Sequence, residues 1–226
     1  MEQYGALRMA VGRSDACELL SQAFAFPGEE LARGLVEGAV ADDARSCLAD
    51  MGVADDAVDA ATSGLRAWSG ASVADMLADM RRAYSHLYFT PGGHTPIFPY
   101  ESAFLHVVSG AKGAPVLFRT PITLDVERSM LDAGVAAKNS RKEPCDSVQE
   151  EFEFLSYLFA EQAEAVRVGD EVALARRAQQ IQAFLRGHAL VWLPQFMDRT
   201  CALVDGPYAA LASYASVVLT HLSSEE

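Results

Sequence analysis

From Ser14 onward apolar side chains recur at Ala16, Leu19, Leu20, Ala23 and Phe24, the spacing of one face of a helix, until Pro27-Gly28 interrupts it. Ser14 stands where an N-cap belongs. Residues 29–68 are alanine-rich, with Leu31, Leu35, Leu48, Val58 and Leu65 at looser helical spacing, which predicts two or three short helices. Ser72-Val73-Ala74-Asp75 then resembles a capping box, and Val73, Met76, Leu77, Met80, Tyr84, Leu87 and Tyr88 trace one face of a helix that stops by Thr90.

The periodicity breaks over residues 90–101, TPGGHTPIFPYE, which hold three of the nine prolines and two glycines. Proline lacks the backbone donor that a helix interior or a central strand requires, so this is a long irregular loop. Loops of that length inside compact domains are usually functional. The interleaved Ile97, Phe98 and Tyr100 predict a loop packed down on the protein, because disordered tracts carry little apolar area. A short helix over Ser102–Val108 follows, then an irregular stretch from Gly110 to Pro121, then a helix opened by Thr120-Pro121 or Thr123 and ending near Gly134.

Residues 136–146, AAKNSRKEPCD, are polar and contain Pro144, and read as a hinge-like connector between an amino-terminal half, 1–135, and a carboxy-terminal half, 147–226. Ser147-Val148-Gln149-Glu150 is a capping-box pattern, with Asp146 as the alternative N-cap. Val148, Phe152, Leu155, Phe159, Ala163 and Val166 run down one side as far as Gly169-Asp170. Leu174, Ala175, Ala178, Ile181 and Leu185 mark a further helix with Gly187 as its end. Two more follow, over Leu190–Cys201 and Tyr208–Leu222. Period-2 alternation is absent outside the loops, so the class is all-α: one compact helical domain, 1–226, of about ten helices in two packed halves.

Composition supports that size and narrows the partners. With 226 residues, half of them hydrophobic, the chain fills one sizeable core. Its 18 basic against 31 acidic residues, a net charge of −13, repel phosphate backbones and anionic lipid, so neither nucleic acid nor a membrane is expected as partner. Four separated cysteines with no C-x-x-C pair read as reduced thiols of a cytoplasmic protein. The sequence shows no amino-terminal secretion pattern and no apolar run of the ~20 residues that span a bilayer.

Catalytic motifs are missing: there is no G-x-S-x-G, no G-x-x-x-x-G-K-[ST], no G-x-G-x-x-G and no H-E-x-x-H. The five histidines never pair with another histidine or a cysteine at i, i+3 or i, i+4, and no metal or cofactor is expected. A small hydrolase using Asp146 and His188 is the enzymatic alternative, and the missing motifs argue against it. What stands out is a strip of aromatics beside acid, from Tyr84 to Tyr88 and from Phe98 through Tyr100 and Glu101 to Phe104. Burying Glu101 without a cationic partner would cost several kcal/mol, so this carboxylate is expected to await one.

Three blocks carry a resemblance. Tyr84-x-x-Leu87-Tyr88-x-x-Pro91 with Pro99-Tyr100-Glu101-Ser102 is the first. Glu143-Pro144-Cys145-Asp146-Ser147, continued by Phe152-x-Phe154-Leu155, is the second, and Phe184-Leu185-x-x-His188-x-x-x-Trp192-Leu193-Pro194-x-Phe196 is the third. In order and spacing they resemble the TorD/DmsD/NarJ family of cytoplasmic chaperones for molybdenum-containing redox enzymes. Ser147 stands where that family usually has histidine, Tyr88 replaces phenylalanine and Thr90 replaces glycine.

The resemblance implies a protein, not an enzyme, that binds the twin-arginine signal peptide or a related amino-terminal segment of an apo-molybdoenzyme catalytic subunit until its cofactor is inserted. A NarJ-like assembly role for a non-exported subunit is the alternative. By the same resemblance, Tyr84, Leu87, Tyr88, Pro91, Pro99, Tyr100, Glu101, Ser102, Asp146 and Ser147 are the expected peptide-binding residues. Glu143, Pro144, His188, Trp192 and Phe196 are expected to be structural or hinge residues, in a monomer or a hinge-swapped dimer. The physics is complementary, since such a peptide joins an Arg-Arg head to an apolar stretch and an acidic protein with an aromatic groove suits both.

Overall fold

A computed structural model describes residues 2–90, 95–137 and 143–224. Among these the chain forms α1 (Glu2–Phe24), α2 (Glu29–Glu37), α3 (Ala39–Asp50), α4 (Asp55–Ser63), α5 (Val73–Tyr88), α6 (Glu101–Val108), α7 (Pro121–Asp132), α8 (Val148–Val168), α9 (Glu171–Phe184), α10 (Leu190–Leu203) and α11 (Pro207–Ser223). A π turn over Leu185–Ala189 joins α9 and α10 into one rod, leaving ten separate helices. No strand occurs among the described residues, and Tyr100 and Ser147 form an isolated antiparallel bridge. The fold is all-α, as the periodicity predicts.

Side-chain caps set several helix starts. Ser72, Thr120, Ser147 and Asp170 each accept a hydrogen bond from the backbone N–H three residues on. Of the two candidates before α8, Ser147 is therefore the cap. Pro121 occupies the first position of α7, where a missing N–H costs nothing, and Gly169 ends α8 in the left-handed conformation at φ 72°.

Two boundaries differ from expectation. The first helix begins at Glu2, not Ser14, and Ser14 is buried inside it with its hydroxyl donating to the Ser156 carbonyl of α8 at 3.0 Å. The early turns of α1 have little amphipathic pattern of their own and are held by tertiary packing along α8 and α3. Gly12 permits that approach, because a Cβ there would lie 2.7 Å from Asp50 Cβ. The second difference is Gly187, which ends no helix. The π turn admits an extra residue and carries the rod on, so that Phe184 before it, Leu185 and His188 within it and Trp192 after it all face inward.

One hydrophobic core draws on both halves of the sequence. Its centre is aromatic: Tyr88 stacks on Phe196 at 5.3 Å, Phe24 meets Phe196 edge-on at 5.8 Å, and Trp192 meets Phe196 at 5.3 Å. Trp192 and Phe196 are fully buried. No helix among the described residues is long and apolar enough to cross a membrane.

Candidate functional site

The irregular segment after α5 is tied down at both ends. The Ile97 N–H donates to the Leu87 carbonyl at 3.1 Å, and the buried Ile97 side chain anchors the loop on the core. Further along, the Val148 N–H donates to the Pro99 carbonyl at 3.0 Å, and the Glu101 N–H donates to the Asp146 carbonyl at 2.8 Å. The Asp146 carboxylate accepts from the Ser102 N–H at 3.0 Å, so it caps the start of α6 from across the connector. Pro99-Tyr100-Glu101-Ser102 and Asp146-Ser147 therefore lie side by side, although more than forty residues separate them in sequence.

The third block completes the cluster from the π turn. His188 Nδ1 lies 2.8 Å from Glu101 Oε2, and its Nε2 lies 3.5 Å from Asp125 Oδ2. Trp192 Nε1–H donates to Glu151 Oε2 at 3.0 Å. Glu101, Asp146 and Glu151 are all buried. Burial, the neighbouring Glu101 and the nearby Asp146 hold the Glu151 carboxyl well above the usual carboxylate range, against the lowering effect of the Trp192 bond. The shift favours a proton on Glu151, whose Oε1 has no hydrogen-bond partner among the described residues.

This arrangement corrects the expectation for Glu101, whose partner is internal: His188 Nδ1 faces its carboxylate, and the buried Glu151 is a close neighbour. Sequence reading missed Glu151. Its signal is position, since residue 151 lies on the apolar stripe of α8 beside Val148, Phe152 and Leu155, where an unpaired carboxylate has no reason to be. His188 also differs from the expected hydrolase pairing, because its ring is hydrogen-bonded to Glu101 and lies near Asp125 rather than pairing with Asp146. No group of three or more His, Cys, Asp or Glu side chains among the described residues is placed to hold a metal ion.

The expected peptide-binding residues thus divide by depth. Leu87, Tyr88, Pro99, Glu101, Ser102, Asp146 and Ser147 are buried, with the Tyr88 hydroxyl 2.8 Å from Thr200 Oγ1. Pro91 lies outside the described residues. Tyr84 and Tyr100 are half-buried and reach the surface. The Tyr100 hydroxyl donates to Glu143 at 2.8 Å, and Glu143, expected to be a hinge residue, is exposed, while its neighbour Pro144 is buried. Phe26, 60% exposed, meets Tyr84 edge-on at 5.5 Å with the Arg81 guanidinium over its other side. Burial, then the charge of Glu143, pushes the Tyr84 phenol up to about 12. Aromatic rings and the exposed Glu143 carboxylate share this face.

No curated protein matches the chain. A family model described as nitrate reductase delta subunit matches residues 53–198, more than half of the chain, and spans all three sequence blocks and the cluster they build. On that match the chain belongs to the nitrate reductase delta subunit family, the NarJ/TorD-type chaperones of molybdoenzyme maturation.

Proposed function

We propose that this protein binds a basic, partly apolar amino-terminal segment of a molybdoenzyme catalytic subunit and holds the subunit during assembly, performing no chemistry of its own. The observation that carries the reading is the face where Phe26, Tyr84 and Tyr100 meet the exposed Glu143, directly above the cluster built by the three family blocks. Aromatic rings take an apolar stretch at low entropic cost, and a carboxylate accepts a guanidinium through two parallel hydrogen bonds. The net charge of −13 steers a basic segment toward the protein. The buried members act from beneath. Pro99, Glu101, Ser102, Asp146 and Ser147 fix Tyr100 and the connector, while Leu87 and Tyr88 anchor the end of α5. Pro91 joins the set through the resemblance alone.

In the finer form of the proposal the segment is a twin-arginine signal peptide and the protein works in the cytoplasm before export. The family description, nitrate reductase delta subunit, is equally compatible with a second form in which the bound segment is an uncleaved amino terminus of a subunit that is not exported. Both forms use the same face. Size-exclusion chromatography of the protein with a purified apo-subunit, intact or lacking its amino-terminal segment, tests the reading. A complex with the intact subunit that disappears on deletion is expected; a complex that survives deletion contradicts it. Whether the required segment is one that export removes separates the two forms.

A further inference from the structure

A second recess lies between α6, the segment 116–120 and the start of α7, with a volume of about 740 Å3. Its walls are apolar, with Leu105 on one side and Val116, Pro121 and Ile122 on the other. Its polar lining is Ser102, His106, Ser109, Arg119 and Thr120, and two of these stand out. Ser102 lines the recess, is 8% exposed, and its hydroxyl has no hydrogen-bond partner although its backbone N–H is bonded to Asp146. Arg119 also lines it, is exposed, makes no ion pair among the described residues, and has the single positive φ among described non-glycine residues, 57°. The loop that presents Arg119 is held to α6 by the ring nitrogen Nε2 of His106, 3.1 Å from the Gly113 carbonyl.

A buried hydroxyl without a partner costs free energy, and a non-glycine residue held in the left-handed region costs of order 1–3 kcal/mol, so both are kept against a penalty. The rim is apolar too: Val116 is 66% exposed, and Val107 and Phe118 on the flanking segments are 43% and 41% exposed. Exposed apolar groups along the length of an open trough suit a polypeptide better than a compact small molecule. The one permanently charged lining group of the trough is cationic, in a protein whose net charge is −13.

We propose that this trough is a second binding site, for an apolar segment of a partner polypeptide that carries an acidic side chain. The apolar residues fill the space between Leu105 and Ile122, the carboxylate pairs with the Arg119 guanidinium, and the Ser102 hydroxyl bonds to the segment's backbone. The proposal shares only Ser102 with the basic-segment reading, there through its backbone N–H bond to Asp146 and here through its hydroxyl, and it demands the opposite charge.

Fluorescence anisotropy with labelled octapeptides of leucine and alanine bearing one central Asp, Asn or Lys tests it. The Asp peptide is expected to bind about tenfold more tightly than the Lys peptide, the scale of one hydrogen bond to a charged group. Arg119→Gln should erase that preference while leaving binding of a basic Arg-Arg peptide unchanged, and Val116→Asp should abolish binding of all three octapeptides. Circular dichroism establishes that each variant is folded. The proposal fails if no octapeptide binds saturably, or if Arg119→Gln leaves the charge preference intact. It also fails if light scattering shows a dimer that Val116→Asp dissolves, which would make the trough a contact between copies of this chain. Loss of Arg-Arg peptide binding in the wild type, with the Asp preference retained, would overturn the basic-segment reading and leave this one standing.

Discussion

Replacing Glu151 separates its role as a proton-bearing partner from its role as buried volume. Glu151→Gln keeps an oxygen to accept from Trp192 Nε1 and puts a neutral amide in place of the raised carboxyl, so stability at neutral pH should change by less than about 1 kcal/mol. Glu151→Ala leaves the buried indole N–H without an acceptor, worth about 1–3 kcal/mol, and opens a cavity as well, so a loss of about 3 kcal/mol is expected. The pH dependence carries the sharper test. In the folded protein the carboxyl is raised, chiefly by burial and then by Glu101, whereas in the unfolded chain it titrates near 4.5. The native state holds the proton after the unfolded chain has released it, so the contribution is complete below about 4.5 and is lost as pH rises toward the folded value. The slope is at most about 1.4 kcal/mol per pH unit. Urea denaturation at several pH values from about 5 to about 8 should show Glu151→Gln gaining on the wild type as pH rises. Parallel curves, or a Gln variant that loses about 3 kcal/mol or more at neutral pH, would refute a protonated Glu151.

Trp192→Ala should cost about 3–5 kcal/mol in the same assay, because a fully buried indole leaves a cavity among Phe104, Phe196 and Glu151. Tyr88→Phe should cost about 1 kcal/mol, the worth of its bond to Thr200, and a null effect would place that hydroxyl in contact with water instead. Under native conditions a thiol reagent should label the exposed Cys201 alone, with Cys17, Cys47 and Cys145 reacting on unfolding; burial pushes the thiols of Cys47 and Cys145 up to about 12. Refolding at high concentration should yield a dimer exchanged through residues 136–146, and light scattering that shows monomer alone under every condition counts against the exchange.

Helix existence was legible wherever a cap and an apolar stripe coincided, as at Ser72, Thr120 and Ser147. It failed where tertiary contacts overrode local pattern. The early turns of α1 are held by α8 and α3 across the sequence, and Gly187 reads as a stop until the π turn shows that the rod needs one more residue to keep His188 and Trp192 inward. The site was half legible. The blocks that the sequence singled out are ones the fold brings side by side, but depth is invisible in a sequence, so Glu101 looked available when His188 already faces it. Conversely Phe26 lay in a proline-glycine helix stop and Glu143 in a hinge, and only the fold puts both beside Tyr84 and Tyr100.

The proposed function requires a basic, partly apolar segment to bind the Tyr84–Tyr100–Glu143 face. Isothermal titration of an Arg-Arg peptide with an apolar stretch, and of its Lys-Lys analogue, against wild type and Glu143→Gln at two ionic strengths tests that directly. The account predicts binding that weakens with salt, and a larger loss for the Arg-Arg peptide than for the Lys-Lys peptide on Glu143→Gln, because the guanidinium fork loses more than a point charge does. Salt-independent affinity, or equal losses for the two peptides, would contradict it.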